Sequence, residues 1–219
     1  MKKYFLTLLF LTSVACFSQD TLIINTNDSI STQILQELSE KTKSYQNIKA
    51  DFKFTFENTS QDILEEQDGS ISIQENSFKL EINQQIIISD GSTQWIYLKE
   101  SNEVQIMEYD VEDDMMSPSK LFTIYEKGYK NSYIELKSLN GKNMHIIDLF
   151  SIESNAFKKI QLQIDADKNQ LDNIILYDKN GGSFTYLITN FKTNVENTSD
   201  NTYKFIAEDY TDVQIIDLR

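Results

Sequence analysis

The chain has one histidine, His145, one cysteine, Cys16, and one arginine, the terminal Arg219. Those three counts remove most site chemistry. A zinc centre needs three or four Cys, His or carboxylate ligands, and a nucleophile–base pair needs an activating imidazole or its equivalent beside the nucleophile. His145 lies in an apolar run with Met144, Ile146 and Ile147; alone there, it reads as a structural residue and not as a ligand or base. With no arginine in its body the chain lacks a bidentate clamp for phosphate or carboxylate. Glu112-Asp113-Asp114 has charge for Ca²⁺ without the Asp/Asn–Gly spacing of a calcium loop. Asp165-Ala166-Asp167-Lys168-Asn169 reads as a hairpin tip. No metal or cofactor is expected, and an enzyme ranks last among functions for want of converging catalytic groups. With 34 acidic against 20 basic residues, a net charge of −14, the surface is also wrong for nucleic acid.

What remains is apolar and aromatic surface, and the elements that would position it. Met1-Lys2-Lys3, the nearly uncharged stretch Tyr4 to Ala15, and small residues at Cys16 and Ser18 read as a signal peptide over 1–18. The alternative makes Cys16 a lipid-modified first residue, although Ser13 stands where Leu is usual. Cleavage after Ser18 would leave a single cysteine-free domain over 19–219. Losing Lys2 and Lys3 would take the charge from −14 to −16. No later segment is long and apolar enough to span a bilayer, so the expected product is exported and not membrane-spanning.

Asp28 can cap a helix with an apolar stripe of Ile30, Ile34, Leu35, Leu38 and Tyr45. From Ile48 the period changes to two. Phe52, Phe54 and Phe56 share a face, as do Ile71 and Ile73, and Phe78, Leu80 and Ile82. The alternation recurs at Ile134/Leu136, Ile160/Leu162/Ile164, Phe184/Tyr186/Ile188 and Tyr203/Phe205/Ala207. Asp68-Gly69, Asp90-Gly91, Asn140-Gly141 and Asn180-Gly181-Gly182 give turn signals. The pattern predicts a mainly β fold with helices: about ten or eleven strands in a large antiparallel sheet with one wet face. Ser117-Pro118 can start a short helix carrying Leu121, Phe122, Ile124 and Tyr125 and ending near Gly128, just after Met115 and Met116. Such a helix is a plug for the core or a lid. The inward faces form an apolar hollow that the chain fills itself or fills with a ligand. Aromatic and Met surfaces of this kind suit acyl chains.

Three segments carry a resemblance. Ile48-Lys49-Ala50-Asp51-Phe52, Ser89-Asp90-Gly91-Ser92-Thr93-Gln94-Trp95-Ile96-Tyr97 and Ser117-Pro118-Ser119-Lys120-Leu121-Phe122 resemble the LolA family of periplasmic outer-membrane lipoprotein carriers. The second segment is the most specific, and the order of elements agrees from Ser31 to Arg219. The resemblance implies an incomplete antiparallel β-barrel, a half-barrel closed by an N-terminal helix and a lid helix, with lipoprotein acyl chains held in the hollow. It implies a cavity of Phe52, Phe54, Phe56, Ile71, Ile73, Phe78, Leu80, Ile82, Trp95 and Tyr97, under a lid of Met115, Met116, Leu121, Phe122 and Tyr125. Trp95 and Tyr97 are placed on the floor because the family motif retains those aromatics. The implied partners are acylated lipoproteins, an inner-membrane lipoprotein-releasing transporter and an outer-membrane receptor, with the protein itself a periplasmic monomer. The arginine by which studied carriers latch the lid has no counterpart in Ile73-Gln74-Glu75-Asn76-Ser77-Phe78. Closure by apolar packing alone would depend little on salt. The same fold also serves periplasmic lipid- or lipoprotein-sensing regulators, which is the rival reading.

Overall fold

A computed structural model of the chain describes residues 28–110, 118–152, 157–196 and 201–219. The signal segment, Cys16, Glu112-Asp113-Asp114, Met115, Met116 and Ser117 lie outside the described residues.

Helix α1 (Ser29–Lys43) begins where the sequence places its cap, with the Asp28 side chain accepting from the Ser31 N–H at 2.7 Å. Leu35 and Leu38 are buried, but Ile30 is 56 % exposed and Tyr45 lies beyond the helix end, so the buried stripe is shorter than the periodicity implies.

Among the described residues twelve strands follow: β1 (Ile48–Asn58), β2 (Ile63–Gln74), β3 (Ser77–Ile82), β4 (Gln85–Ser89), β5 (Thr93–Leu98), β6 (Glu103–Glu108), β7 (Tyr129–Leu139), β8 (Lys142–Ser151), β9 (Phe157–Asp165), β10 (Gln170–Asp178), β11 (Ser183–Thr193) and β12 (Gln214–Asp217). They make one sheet in the order β12-β6-β5-β4-β3-β2-β1-β11-β10-β9-β8-β7. Its edges, β12 and β7, do not pair, so the sheet is open and the barrel incomplete. Two antiparallel meanders meet where β1 pairs β11, with Phe54 opposite Tyr186. The last strand, β12, is four residues long and runs parallel to β6, among the described residues the one parallel pair in a sheet expected to be antiparallel. Tyr203, Phe205 and Ala207, whose alternation reads as a strand, lie instead in turns that include a 3-10 turn at Ala207–Asp209.

Two turn signals have different outcomes. Asn140-Gly141 joins β7 to β8 with both residues at positive φ, 51° and 78°, as a primed hairpin turn demands. Asp68-Gly69 makes no turn: it lies inside β2, with Gly69 opposite Phe52 of β1. A Cβ at Gly69 would stand 2.5 Å from the Phe52 ring, so the glycine makes room for an aromatic side chain laid across the strand.

The expected lid helix is not an α-helix. A 3-10 turn at Pro118–Lys120 is followed by turns whose N–H groups bond three residues back: Leu121 to Pro118, Thr123 to Lys120 and Glu126 to Thr123. Phe122, Ile124 and Tyr125 are all buried. An α-helix sets Phe122 and Ile124 about 200° apart, so burying both on one core favours the turns over helical propensity.

Candidate functional site

Directly paired residues share a face of a sheet, so the register sorts every candidate. On the inner face, against which α1 packs, Ile48, Ala50, Phe52, Phe54 and Phe56 of β1 sit beside Ile71 and Ile73 of β2 and Phe78, Leu80 and Ile82 of β3. Phe52, Ile71, Ile73 and Phe78 are buried in the main core; Phe54, Leu80 and Ile82 are half-buried against it. Phe56 sits at its margin, stacked on Phe184 with ring centroids 4.9 Å apart. There the face becomes polar, with Gln67 opposite Phe54 and Glu65 opposite Phe56.

Trp95 and Tyr97 are not on this floor. Phe78 pairs with Ser89 and Ser89 with Gln94, so the inner face of β5 carries Gln94, Ile96 and Leu98. Trp95 and Tyr97 project to the outer face, where Tyr97 packs on Phe205 and Tyr210 at 6.2 and 4.5 Å. Ile88, opposite Trp95, and Val104, opposite Tyr97, are buried on that side. The physical reason lies in Ile86-Ile87-Ile88 of β4, a strand covered on both faces, for which alternation cannot say which face is the floor.

The Ser-Asp-Gly part of the same segment builds a turn. Asp90 Oδ1 accepts from the Ser92 and Thr93 N–H groups at 3.0 and 2.9 Å, and the buried Ser89 hydroxyl accepts from the Gly91 N–H at 3.1 Å. Gly91 has φ +93°. Burial works to raise the Asp90 pKa, but the hydrogen bonds from Thr93 and Ser92 outweigh it and hold the group below its ordinary value.

Of the lid residues, Phe122 is 3 % exposed and meets Phe191 of β11 edge-on at 5.5 Å; Tyr125 is 6 % exposed and Leu121 packs on the core margin. Residues outside the expected cavity and lid also shape this region. Phe184, Tyr186 and Ile188 of β11 show the same alternation as β1, but only the long-range β1–β11 pairing brings them to the same floor. Glu126 joins the segment to α1: its Oε1 accepts from Ser39 Oγ at 2.6 Å and faces Lys43 Nζ at 3.0 Å. A cleft opens on each side. One, of about 370 Å³, is lined by Lys43, Tyr45, Ile48, Ile73 and Phe122. The other, of about 400 Å³, is lined by Leu35, Ser39, Lys43, Tyr125, Glu126 and Tyr129.

Other groups that could do chemistry are engaged elsewhere. The Tyr133 hydroxyl and His145 Nδ1 lie 3.2 Å apart. Arg219 pairs with Asp217 through Nε and Nη2 at 2.9 and 2.6 Å, far in sequence from the lid segment. Among the described residues no helix is long and apolar enough to cross a membrane, and no cluster of His, Cys, Asp and Glu could hold a metal ion.

The family model described as outer membrane lipoprotein carrier protein LolA matches residues 36–179. The chain belongs to this family. Solved structures agree in fold. An uncharacterized conserved protein from Thermus thermophilus superposes with a TM-score of 0.54 at 14 % identity, covering 85 % of this chain and 99 % of that one. LprF from Mycobacterium bovis gives 0.51 at 12 % identity over 78 % and 97 % of the two chains. Comparison with curated proteins finds no match.

Proposed function

We propose that this LolA-family protein is a periplasmic carrier that shields the acyl chains of lipoproteins against the inner face of its sheet. In this reading residues 1–18 export the chain, an inner-membrane releasing transporter loads it, and it delivers cargo towards the outer membrane. One observation carries the proposal: the inner face supplies more apolar surface than the main core buries. Phe54, Leu80, Ile82, Phe184 and Tyr186 remain half-buried beside the fully packed Phe78, Leu162 and Ile174. Each CH₂ of an acyl chain left in water costs about 0.8 kcal/mol, so a carrier needs such a surface enclosed by a polar exterior; the whole chain carries a net charge of −14, which becomes −16 once Lys2 and Lys3 leave with residues 1–18.

The test is mass spectrometry of lipids and lipoproteins that co-purify with the exported protein, together with displacement of a fluorescent fatty-acyl probe. Acylated cargo that competes with the probe is the expected result. A protein that binds no acyl probe, and whose depletion leaves outer-membrane lipoproteins in place, would overturn the proposal.

A further inference from the structure

β7 is the long edge of the sheet. It has eleven residues, and among the described residues no strand pairs on the side away from β8. Its first half is occupied: Asn131 accepts from Ser31 of α1, and the Tyr133 N–H turns away from β8 to donate to the Asp28 carboxylate. Its second half is bare among the described residues. Ile134, Glu135, Leu136, Lys137 and Ser138 are all exposed, Ile134 at 49 % and Leu136 at 55 %. We propose that this stretch is a docking surface for a second copy of the chain, which adds its own β7 antiparallel about a two-fold axis at Leu136.

Three observations select that partner and register. First, the edge is regular where it is bare. The bulge in β7 falls between Tyr133 and Glu135, and from Glu135 to Leu139 the strand follows β8 without a slip. Unpaired N–H and C=O groups along such a strand are a template for another strand. Edges are commonly guarded by being short, as the four residues of β12 are, or by bulges and lysines. In β7 the bulge stands at the end of the bare stretch, and the charge of Lys137 is matched by Glu135, 3.8 Å away. Second, the charges are self-complementary. Directly paired residues share a face, so a two-fold axis normal to the sheet falls on a residue. Centred on Glu135 or Lys137, it would set like charges opposite one another. Centred on Leu136, it sets the Glu135 of each copy opposite the Lys137 of the other, and Leu136 against Leu136. Third, the pairing ends by itself. The Glu135 and Lys137 side chains are 51 % and 54 % exposed and open to a partner, but three positions from the axis Leu139 meets Tyr133, whose N–H is already held by Asp28.

A reversible dimer would replace the monomer that the family resemblance implies, with both inner faces on one side of a continuous sheet; it does not rest on the carrier reading. The test is sedimentation velocity of the exported protein from about 10 μM to about 500 μM, the range suited to small, weak interfaces. The native protein should dimerise, less strongly at high salt. Glu135→Lys and Lys137→Glu each set like charges opposite at both contacts and should weaken the dimer about tenfold. Both positions are exposed, and circular-dichroism melts check that the variants remain folded. Mixed in equal amounts, the two variants should associate again as a heterodimer, because the lysines of one face the glutamates of the other. That recovery reads out the register. A native protein that stays monomeric, variants that dimerise as well as the native chain, or a mixture no better than its components would each overturn the proposal. So would a monomer whose 134–138 amides are protected from hydrogen exchange, the mark of an edge covered by another segment of the same chain.

Discussion

Asp28 shows how much one side chain organises. Its carboxylate caps α1 through the Ser31 N–H and also accepts from the Tyr133 N–H of β7. Ser31 in turn donates to Asn131 of β7 at 2.7 Å with both groups buried. One carboxylate therefore starts the helix and docks it on the sheet. Burial works to raise its pKa, but the hydrogen bonds from Ser31 and Tyr133 prevail and hold it below the ordinary value. A depressed carboxylate stabilises the fold above its unfolded pKa, and that stabilisation is lost as pH falls through the folded one. Asp28→Ala should cost about 1–2 kcal/mol at neutral pH, with the difference from the native chain shrinking in acid. Urea titrations at several pH values check this; a gap that persists at the lowest pH would mean the charge is irrelevant. Tyr125 behaves oppositely to most buried residues. Burial pushes its phenol far above the usual range, against a smaller opposing influence from the Thr42 side chain, and its hydroxyl makes no hydrogen bond of good geometry. Tyr125→Phe should leave thermal stability unchanged or raise it, because it deletes a buried hydroxyl that makes no hydrogen bond of good geometry. A clear drop in melting temperature would show that the hydroxyl is satisfied after all.

At the scale of elements, the long β1–β2 ladder depends on a glycine that looks, in sequence, like the place where the ladder ends. Eleven paired positions run from Ile48–Ile73 to Asn58–Ile63 without a slip, and Gly69 lies within them. The Phe52 ring occupies the space its Cβ would take. Gly69→Ala should therefore destabilise the protein by about 1–3 kcal/mol through overpacking. Phe52→Leu on the same background should recover part of the loss, giving a non-zero coupling in a double-mutant cycle. Purely additive effects would show that the contact is not the reason for the glycine. The Ser89-Asp90-Gly91 turn is a similar case: the residues that most strongly mark the family build the β4–β5 connection, and the aromatics after them cover the outer face.

At the scale of the molecule, one open sheet carries apolar packing on both sides. The inner face holds the main core with α1 and the 118–128 segment; the outer face of β4, β5 and β6 is covered in part by the C-terminal residues around Phe205 and Tyr210. Buried and half-buried tyrosines occur in both layers. Burial raises the pKa of Tyr129 and Tyr186 on the inner face and of Tyr203 in the C-terminal segment. Each would ionise first in the unfolded chain. Their contribution is therefore intact below the ordinary tyrosine pKa of about 10 and lost as pH rises beyond it. Thermal melts followed by circular dichroism should be level from neutral pH to about 9 and fall steeply above 10. A melting temperature that does not fall there would sink the assignment of these phenols as buried.

The sequence by itself determined the one-sided alternation that makes β1, β2, β3 and β11 strands, the Asp28 cap, and the Asn140-Gly141 hairpin. Each of those is a local property, written in the spacing of a few neighbouring residues. Only the tertiary structure decided which face of each strand became the floor. Period two says that Trp95 and Ile96 point apart; it does not say which joins the inner face, because β4 is apolar on both sides. The β1–β11 pairing decided that Phe184 and Tyr186 join the floor. Simultaneous burial of Phe122, Ile124 and Tyr125 made turns of a segment whose propensity is helical, and the approach of α1 brought Ser39 and Lys43 to Glu126. Contacts between residues far apart in the chain leave no periodic trace in it.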